Sequence, residues 1–402
     1  MALSKLKAKI KGIKYLPFEQ NGKTYNLYDL PKGFVIEDCL DISSKGLTEL
    51  PDLSDVVVKG NFLCWGNQLT SLKGAPKEVG GDFHCENNQL TTLEGAPQKV
   101  GGGFYCRFTQ LTSLEGGPQQ VGGDFDCSYN QLVSLEGAPQ KVGGEFDCCN
   151  NQLTSLEGAP QQIGRTFDCS KNKLTSLEGA PKEVGGIFRC ENNKLTTLEG
   201  APEVVGGGFW CSNNKLTSLE GAPKEVGGTF SCHNNQLTSL EGAPQKVSGD
   251  FDCRCNQLTS LEGAPKKIDG NFWCTYNELT SLEGAPKKVG TWFGCSGNQL
   301  TSLVGVPQMN KGCEIYCDNS LKNKYGFDTH FSYEQLCASP LYKSETAMNR
   351  VRSKQQEKQA ETKSASSEQQ KTVDLKQQET FEKINAEFSQ WLKNNPTKPT
   401  RE

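Results

Sequence analysis

The sequence predicts a solenoid of stacked short parallel β-strands with an extended, turn-like return side, followed by an α-helical tail. Two observations predict it. A unit of twenty-one residues is written twelve times without an insertion, with phenylalanine at 62, 83, 104, 125, 146, 167, 188, 209, 230, 251, 272 and 293 and a cysteine two places after each. A period held this strictly marks a supersecondary unit that buries its apolar face only against its neighbours. The second observation is composition: 43 glycines and 35% hydrophobic residues would suggest disorder in an irregular chain, but glycine at fixed repeat positions is turn chemistry. Length here counts coils rather than globular domains.

Residues 1–38 read as an N-terminal cap, with apolar spots at Tyr15, Leu16, Phe18, Tyr25, Leu27, Tyr28 and Phe34 that close the first coil. The solenoid spans 39–317. It opens on a degenerate coil in which Leu40 stands in the phenylalanine column, Ile42 in the cysteine column and Lys45 in the asparagine column. In the regular copies, such as Phe125-Asp-Cys127-Ser-Tyr-Asn130-Gln-Leu132, the phenylalanine, the cysteine and two leucines (Leu132 and Leu135) point inward. Asparagine follows at 67, 88, 130, 151, 172, 193, 214, 235, 256, 277 and 298, where an inward amide can satisfy backbone groups of the bend; Thr109 replaces it once. The Gly-Ala-Pro-x-x-Val-Gly-Gly return leaves little room for a helix, so an extended or turn-like side is expected. Thirteen to fourteen coils stacked with little curvature would span ~60 Å at ~4.8 Å each.

Val304 ends a column of ten glutamates, and Cys313-Glu-Ile315-Tyr-Cys317 reads as a last half-coil. Residues 318–342 carry Tyr325, Phe327, Phe331, Tyr333 and Leu336 and form a C-terminal cap. Residues 343–372 are a polar linker or exposed helix. Over 373–394, Phe381, Ile384, Phe388, Trp391 and Leu392 fall at three- and four-residue spacings on one helical face, a partner-docking helix; 395–402 is a tail.

The net charge of −4 is uneven. Residues 1–14 hold five lysines and no acid, and 341–402 hold twelve Lys/Arg against nine Asp/Glu, so the body between them carries −12. That argues against nucleic-acid binding along the solenoid, which needs a basic stripe. Twelve of the eighteen cysteines occupy one column, where neighbours ~4.8 Å apart with parallel vectors are poor disulfide partners. Reduced, buried cysteine is expected. No apolar run is long enough to span a membrane and no signal peptide is read, so synthesis in the cytoplasm is expected.

The pattern Phe-x-Cys-x-x-Asn-x-Leu-x-x-Leu resembles the leucine-rich repeat, with Phe and Cys in two of the leucine positions. Over residues 40 to 317 it is similar to the short repeats of bacterial secreted effectors of the IpaH type, which share the segment seen here as Asn151-Gln-Leu153-Thr154-Ser155-Leu156. It also resembles repeat proteins of bacteriophages and bacteria that carry Leu-Glu-Gly-Ala-Pro-x-x-Val-Gly-Gly, here Leu156 to Gly164 before Arg165 departs from the pattern. The resemblance implies a protein-binding role, with placement in a phage particle or a larger assembly as one form of it. The residues after the solenoid in this sequence are too few for the effectors' ubiquitin-ligase domain, so that activity is not expected here.

Outward residues beside the inward columns make the binding face in such a repeat. Two patches are expected there. Asp124, Asp126, Glu145, Asp147 and Asp168 converge from three successive coils, bordered by Tyr105, Arg107, Phe108 and Tyr129; Trp273, Tyr276 and Trp292 form an aromatic patch, with Trp210 farther off. Acid beside aromatics suits a basic protein segment. Converging carboxylates can also bind Ca²⁺, but no glycine-rich calcium loop accompanies them, and no metal or cofactor is expected. The histidines are dispersed, and no Ser/His/Asp or Cys/His grouping is expected to converge, which argues against an enzyme. Cys149 and Cys255 should face out, as exposed thiols able to bridge to another chain. The leading expectation is a non-enzymatic binding or scaffold protein. A host-directed effector or decoy comes second, and a metal-dependent enzyme last.

Overall fold

The computed structural model describes residues 14–327, 331–355, 378, 382, 383 and 390. The partner-docking stripe of Phe381, Ile384, Phe388, Trp391 and Leu392 lies outside the described residues. Two units are distinguished, residues 1–337 and 338–402.

The first unit is the solenoid. Each coil contributes one two-residue strand at its phenylalanine, and these pair in parallel, Phe125 opposite Phe146 and Asp126 opposite Asp147, coil after coil. They build a fifteen-stranded sheet running from Leu40–Asp41 to Phe331–Ser332, whose last strand alone is antiparallel. The return side is extended, as the Gly/Pro content dictates, and it forms short parallel strands of its own, such as Lys141–Val142 against Gln162–Ile163. These fall into two seven-stranded sheets, divided between Gln162–Ile163 and Glu183–Val184. The division coincides with the coil in which Arg165 replaces the second glycine of Val-Gly-Gly. Those glycines serve close approach between coils: a Cβ on Gly143 would lie 2.0 Å from the Gly122 carbonyl oxygen. At Gly137 the need is conformational, with φ of +87°.

Inside, the repeat columns become ladders. Phenylalanine rings stack from Phe83 and Phe104, with centroids 5.0 Å apart, to Phe272 and Phe293 at 5.8 Å. The twelve column cysteines are fully buried free thiols. Their sulfurs donate across coils, Cys106 Sγ to the Asp126 carbonyl at 3.3 Å.

The asparagine column ties the bends together. Asn151 Nδ2 donates to the Cys127 carbonyl of the preceding coil at 3.0 Å and to Cys148 of its own at 3.1 Å, while Oδ1 accepts from Leu132 N at 2.9 Å. One inward amide thus meets three backbone groups that the bend would leave without partners. Thr109 does less: its hydroxyl reaches the Cys106 carbonyl and Asn130 Oδ1.

At the N-terminal end, the hairpin Pro17–Gln20 with Lys23–Asn26 clusters Phe18, Tyr25 and Phe34. At the other end, helices Asn319–Tyr325 and Tyr333–Ala338 flank the antiparallel strand. In the second unit, residues 340–355 are helical and expose Leu341, Met348 and Val351. Among the described residues no helix is long and apolar enough to cross a membrane.

Candidate functional site

Side chains alternate across a strand, so the residue before each phenylalanine, the one after it and the one after the cysteine share the outward face of the long sheet. The residue two after the cysteine turns the chain in the left-handed region. There φ is 52° at Phe108, 54° at Tyr129 and 56° at Tyr276.

Much of the acidic patch is tied into the backbone. Asp124 Oδ1 accepts from Glu145 N of the next coil at 2.8 Å. Asp126 is buried and Oδ1 accepts from Ser128 N and Oγ at 3.0 and 2.6 Å. Asp147 accepts from Cys149 N at 2.8 Å, and Asp168 from Ser170 N at 2.9 Å. These aspartates therefore serve local turns as well as charge the face.

Burial, then the neighbouring Asp168 charge, pushes the Asp147 carboxyl up to about 7. Burial and Asp124 raise Glu145 as well. Arg107 is a cation within the patch, 3.7 Å from Asp126 and with its guanidinium carbon 5.9 Å from the Phe108 ring centre. Phe108 and Tyr129 stack at 4.5 Å with nearly half of each exposed, and Tyr105 stacks on His84.

The aromatic patch is larger than expected because Tyr316 joins it. Trp292 lies 5.2 Å from Tyr316 and 6.1 Å from Trp273. Gly294 lies between the coils of Trp273 and Tyr316, and a Cβ there would meet the Trp273 ring at 2.4 Å. Tyr316 was legible as the residue after Ile315 in the half-coil register. Tyr276 is two-thirds exposed, and Trp210 is covered by Arg189 at 5.3 Å.

Two expectations are corrected. Cys149 lies on the outward face but is buried rather than exposed: like Ser128 and Ser170 in the same column it is too short to clear its longer neighbours. Burial and the adjacent Asp147 push its thiol up to about 12. Cys255 is exposed.

The structure also brings together Ser231, His233 and Asp252, a Ser/His/Asp grouping of the kind expected not to form. Ser231 Oγ lies 2.9 Å and Asp252 Oδ2 3.4 Å from the same nitrogen, His233 Nδ1. A hydrolytic relay needs them on opposite nitrogens. Asp252 is moreover held by Arg254, through Nε at 2.9 Å and a terminal nitrogen at 2.7 Å.

Asp147, Cys149 and Asp168 bring ligand atoms within 4.8 Å of one another. A thiol that stays protonated at neutral pH is a weak third donor for a hard cation beside two carboxylates.

No family model and no curated protein matches the sequence. Solved structures do. YopM from Yersinia enterocolitica is similar at 21% identity and a TM-score of 0.52, over 69% of this chain and 65% of that one. A YopM structure from Yersinia pestis, described as a leucine-rich effector protein, gives 20%, a TM-score of 0.48, and 69% and 82% coverage. The functional domain of InlJ from Listeria monocytogenes, described as including a cysteine ladder, gives 18%, 0.38, and 67% and 69%. The asparagine ladder, the parallel strand stack and the likeness to YopM make the fold that of a leucine-rich-repeat solenoid built on a 21-residue unit.

Proposed function

We propose that the chain is a non-enzymatic protein-binding scaffold whose binding face is the outward side of the long sheet and the turn that follows it. One observation carries this reading. The exposed aromatic residues of the solenoid, Trp65, Phe108, Tyr129, Tyr276 and Trp292, all fall on that face or its turn, whereas the large hydrophobics exposed elsewhere on the coils are the aliphatic Val133 and Val204. Repeats that vary at random outside the core would scatter such residues around the coil. Exposed aromatics gathered on one face are the usual anchors of an interface, and the carboxylates among them favour a basic partner segment. The Ser231–His233–Asp252 geometry supports the non-enzymatic half of the reading.

The test is site-specific photo-crosslinking of the full chain. A crosslinker at Tyr276 or Trp292 should capture a discrete protein partner, and one at Lys141 on the return side should not. Equal capture from both sides would remove the reading.

A further inference from the structure

The repeat contains its own template for a contact. Arg107 follows its column cysteine, and its guanidinium lies 3.7 Å from Asp126 of the next coil and 5.9 Å from the Phe108 ring centre. One coil on, Asp147 takes the place of Asp126 and Tyr129 takes the place of Phe108, with φ of 54° against 52°. The arginine is replaced by Ser128.

We propose that a partner protein supplies the missing cation: an arginine of a basic segment seats over Ser128, its guanidinium between the Asp147 carboxylate and the Tyr129 ring. This rests on the protein-binding reading of the face and names the chemistry of one contact in it. Three observations support it. Among the described residues no ion pair reaches Asp147, whereas the equivalent Asp126 has Arg107 at 3.7 Å, and the like-charged Asp168 and Asp126 both raise its carboxyl. Tyr129 stays 45% exposed in a left-handed backbone that other coils give to Asn87, Asn150, Asn192, Asn213 and Asn234, a conformation a bulky residue disfavours. Finally, Arg107 shows that this column spacing accepts a planar guanidinium against both a carboxylate and a ring, which the point charge of lysine matches poorly.

The experiment measures fluorescence anisotropy of a labelled Gly-Arg-Gly-Arg-Gly peptide, and of its lysine counterpart, on the full chain at fixed ionic strength. The arginine peptide should bind at least ~5-fold tighter than the lysine peptide, reflecting the bidentate, stacking fork. Ser128→Arg places the cation from within, and should weaken the peptide at least ~10-fold while leaving Tm equal or higher, as expected when an anchor pocket is filled. Asp147→Asn keeps the acceptor for Cys149 N and should weaken it similarly, so the result does not depend on one variant folding.

Equal affinity for both peptides, or undiminished binding to Ser128→Arg, overturns the proposal in favour of unspecific acidity. The broader reading fails separately. A crosslinked partner that persists at Tyr276 in Ser128→Arg, with no arginine preference, leaves a protein-binding face without this seat; arginine preference with no crosslinked partner keeps the seat and removes the scaffold reading.

Discussion

Asp147 and Asp252 hold the same place in the repeat, five coils apart, and their carboxyls are driven in opposite directions. Both lie after a column phenylalanine, and each accepts from the backbone N–H two residues on, Cys149 at 2.8 Å and Arg254 at 3.1 Å. Burial works against ionisation in both. At Asp147 the neighbours are Asp168 and Asp126, and the carboxyl rises to about 7. At Asp252 the hydrogen bonds from His233 and Arg254 outweigh burial and bring it to about 2. The difference teaches that the repeat decides where a side chain goes, while the adjacent coils decide what charge it carries.

The largest effect tests whether the frame is the same in both regions. Asn151→Ala and Asn256→Ala each strip an amide from a bend with matching partners, Cys127, Cys148 and Leu132 in one and Cys232, Cys253 and Leu237 in the other. Each should cost about 3–5 kcal/mol in chemical denaturation, because several buried backbone groups lose partners together. Unequal losses would mean that the regions differ in frame as well as in charge.

Next comes the pH dependence. A folded-state value near 7 is raised above that of an unfolded aspartate, so the stability it contributes is full below pH ~4 and is lost as pH rises through 7. Asp147→Asn should therefore gain on the native chain between pH 4 and pH 8, by on the order of 2–4 kcal/mol at about 1.4 kcal/mol per unit. Asp252 runs the other way: its contribution is present above pH ~4 and is lost as pH falls through about 2. A flat difference between Asp147→Asn and the native chain over that range would break the comparison.

Arg254→Ala should cost about 1–3 kcal/mol at neutral pH, the range for hydrogen bonds to charged groups. The arginine side chain is 45% exposed, which keeps the effect toward the lower end. An NMR titration should show the Asp252 carboxyl moving up; a carboxyl that stays near 2 would assign the shift to His233 alone. The smallest effect is a gain. Thr109→Asn restores the amide that eleven other bends carry and should add about 1 kcal/mol of stability.

The frame was legible because its signals are local or periodic. Phe125, Cys127, Asn130, Leu132 and Leu135 point inward by alternation and spacing alone, and the ladders they form follow from repeating them every 21 residues. The neighbouring of Asp126, Asp147 and Asp168 and of Trp273 and Trp292 was legible too, since stacking coils in register brings equivalent positions together. Cys149 was misread because its exposure depends on the height of side chains on neighbouring coils. Ser231, His233 and Asp252 were missed for a related reason: the aspartate comes from the next coil, and the shared Nδ1 is a matter of rotamer.

What the sequence determined by itself is the coil, its inward columns and the side that varies, because backbone periodicity and apolar alternation act along the chain. What only the tertiary structure decided is the chemistry of that side. A carboxyl near 7 at Asp147 and near 2 at Asp252, a guanidinium on Phe108 and, among the described residues, none on Tyr129, and Trp273 folded over Gly294 all depend on burial and on charges a few ångströms away in other coils.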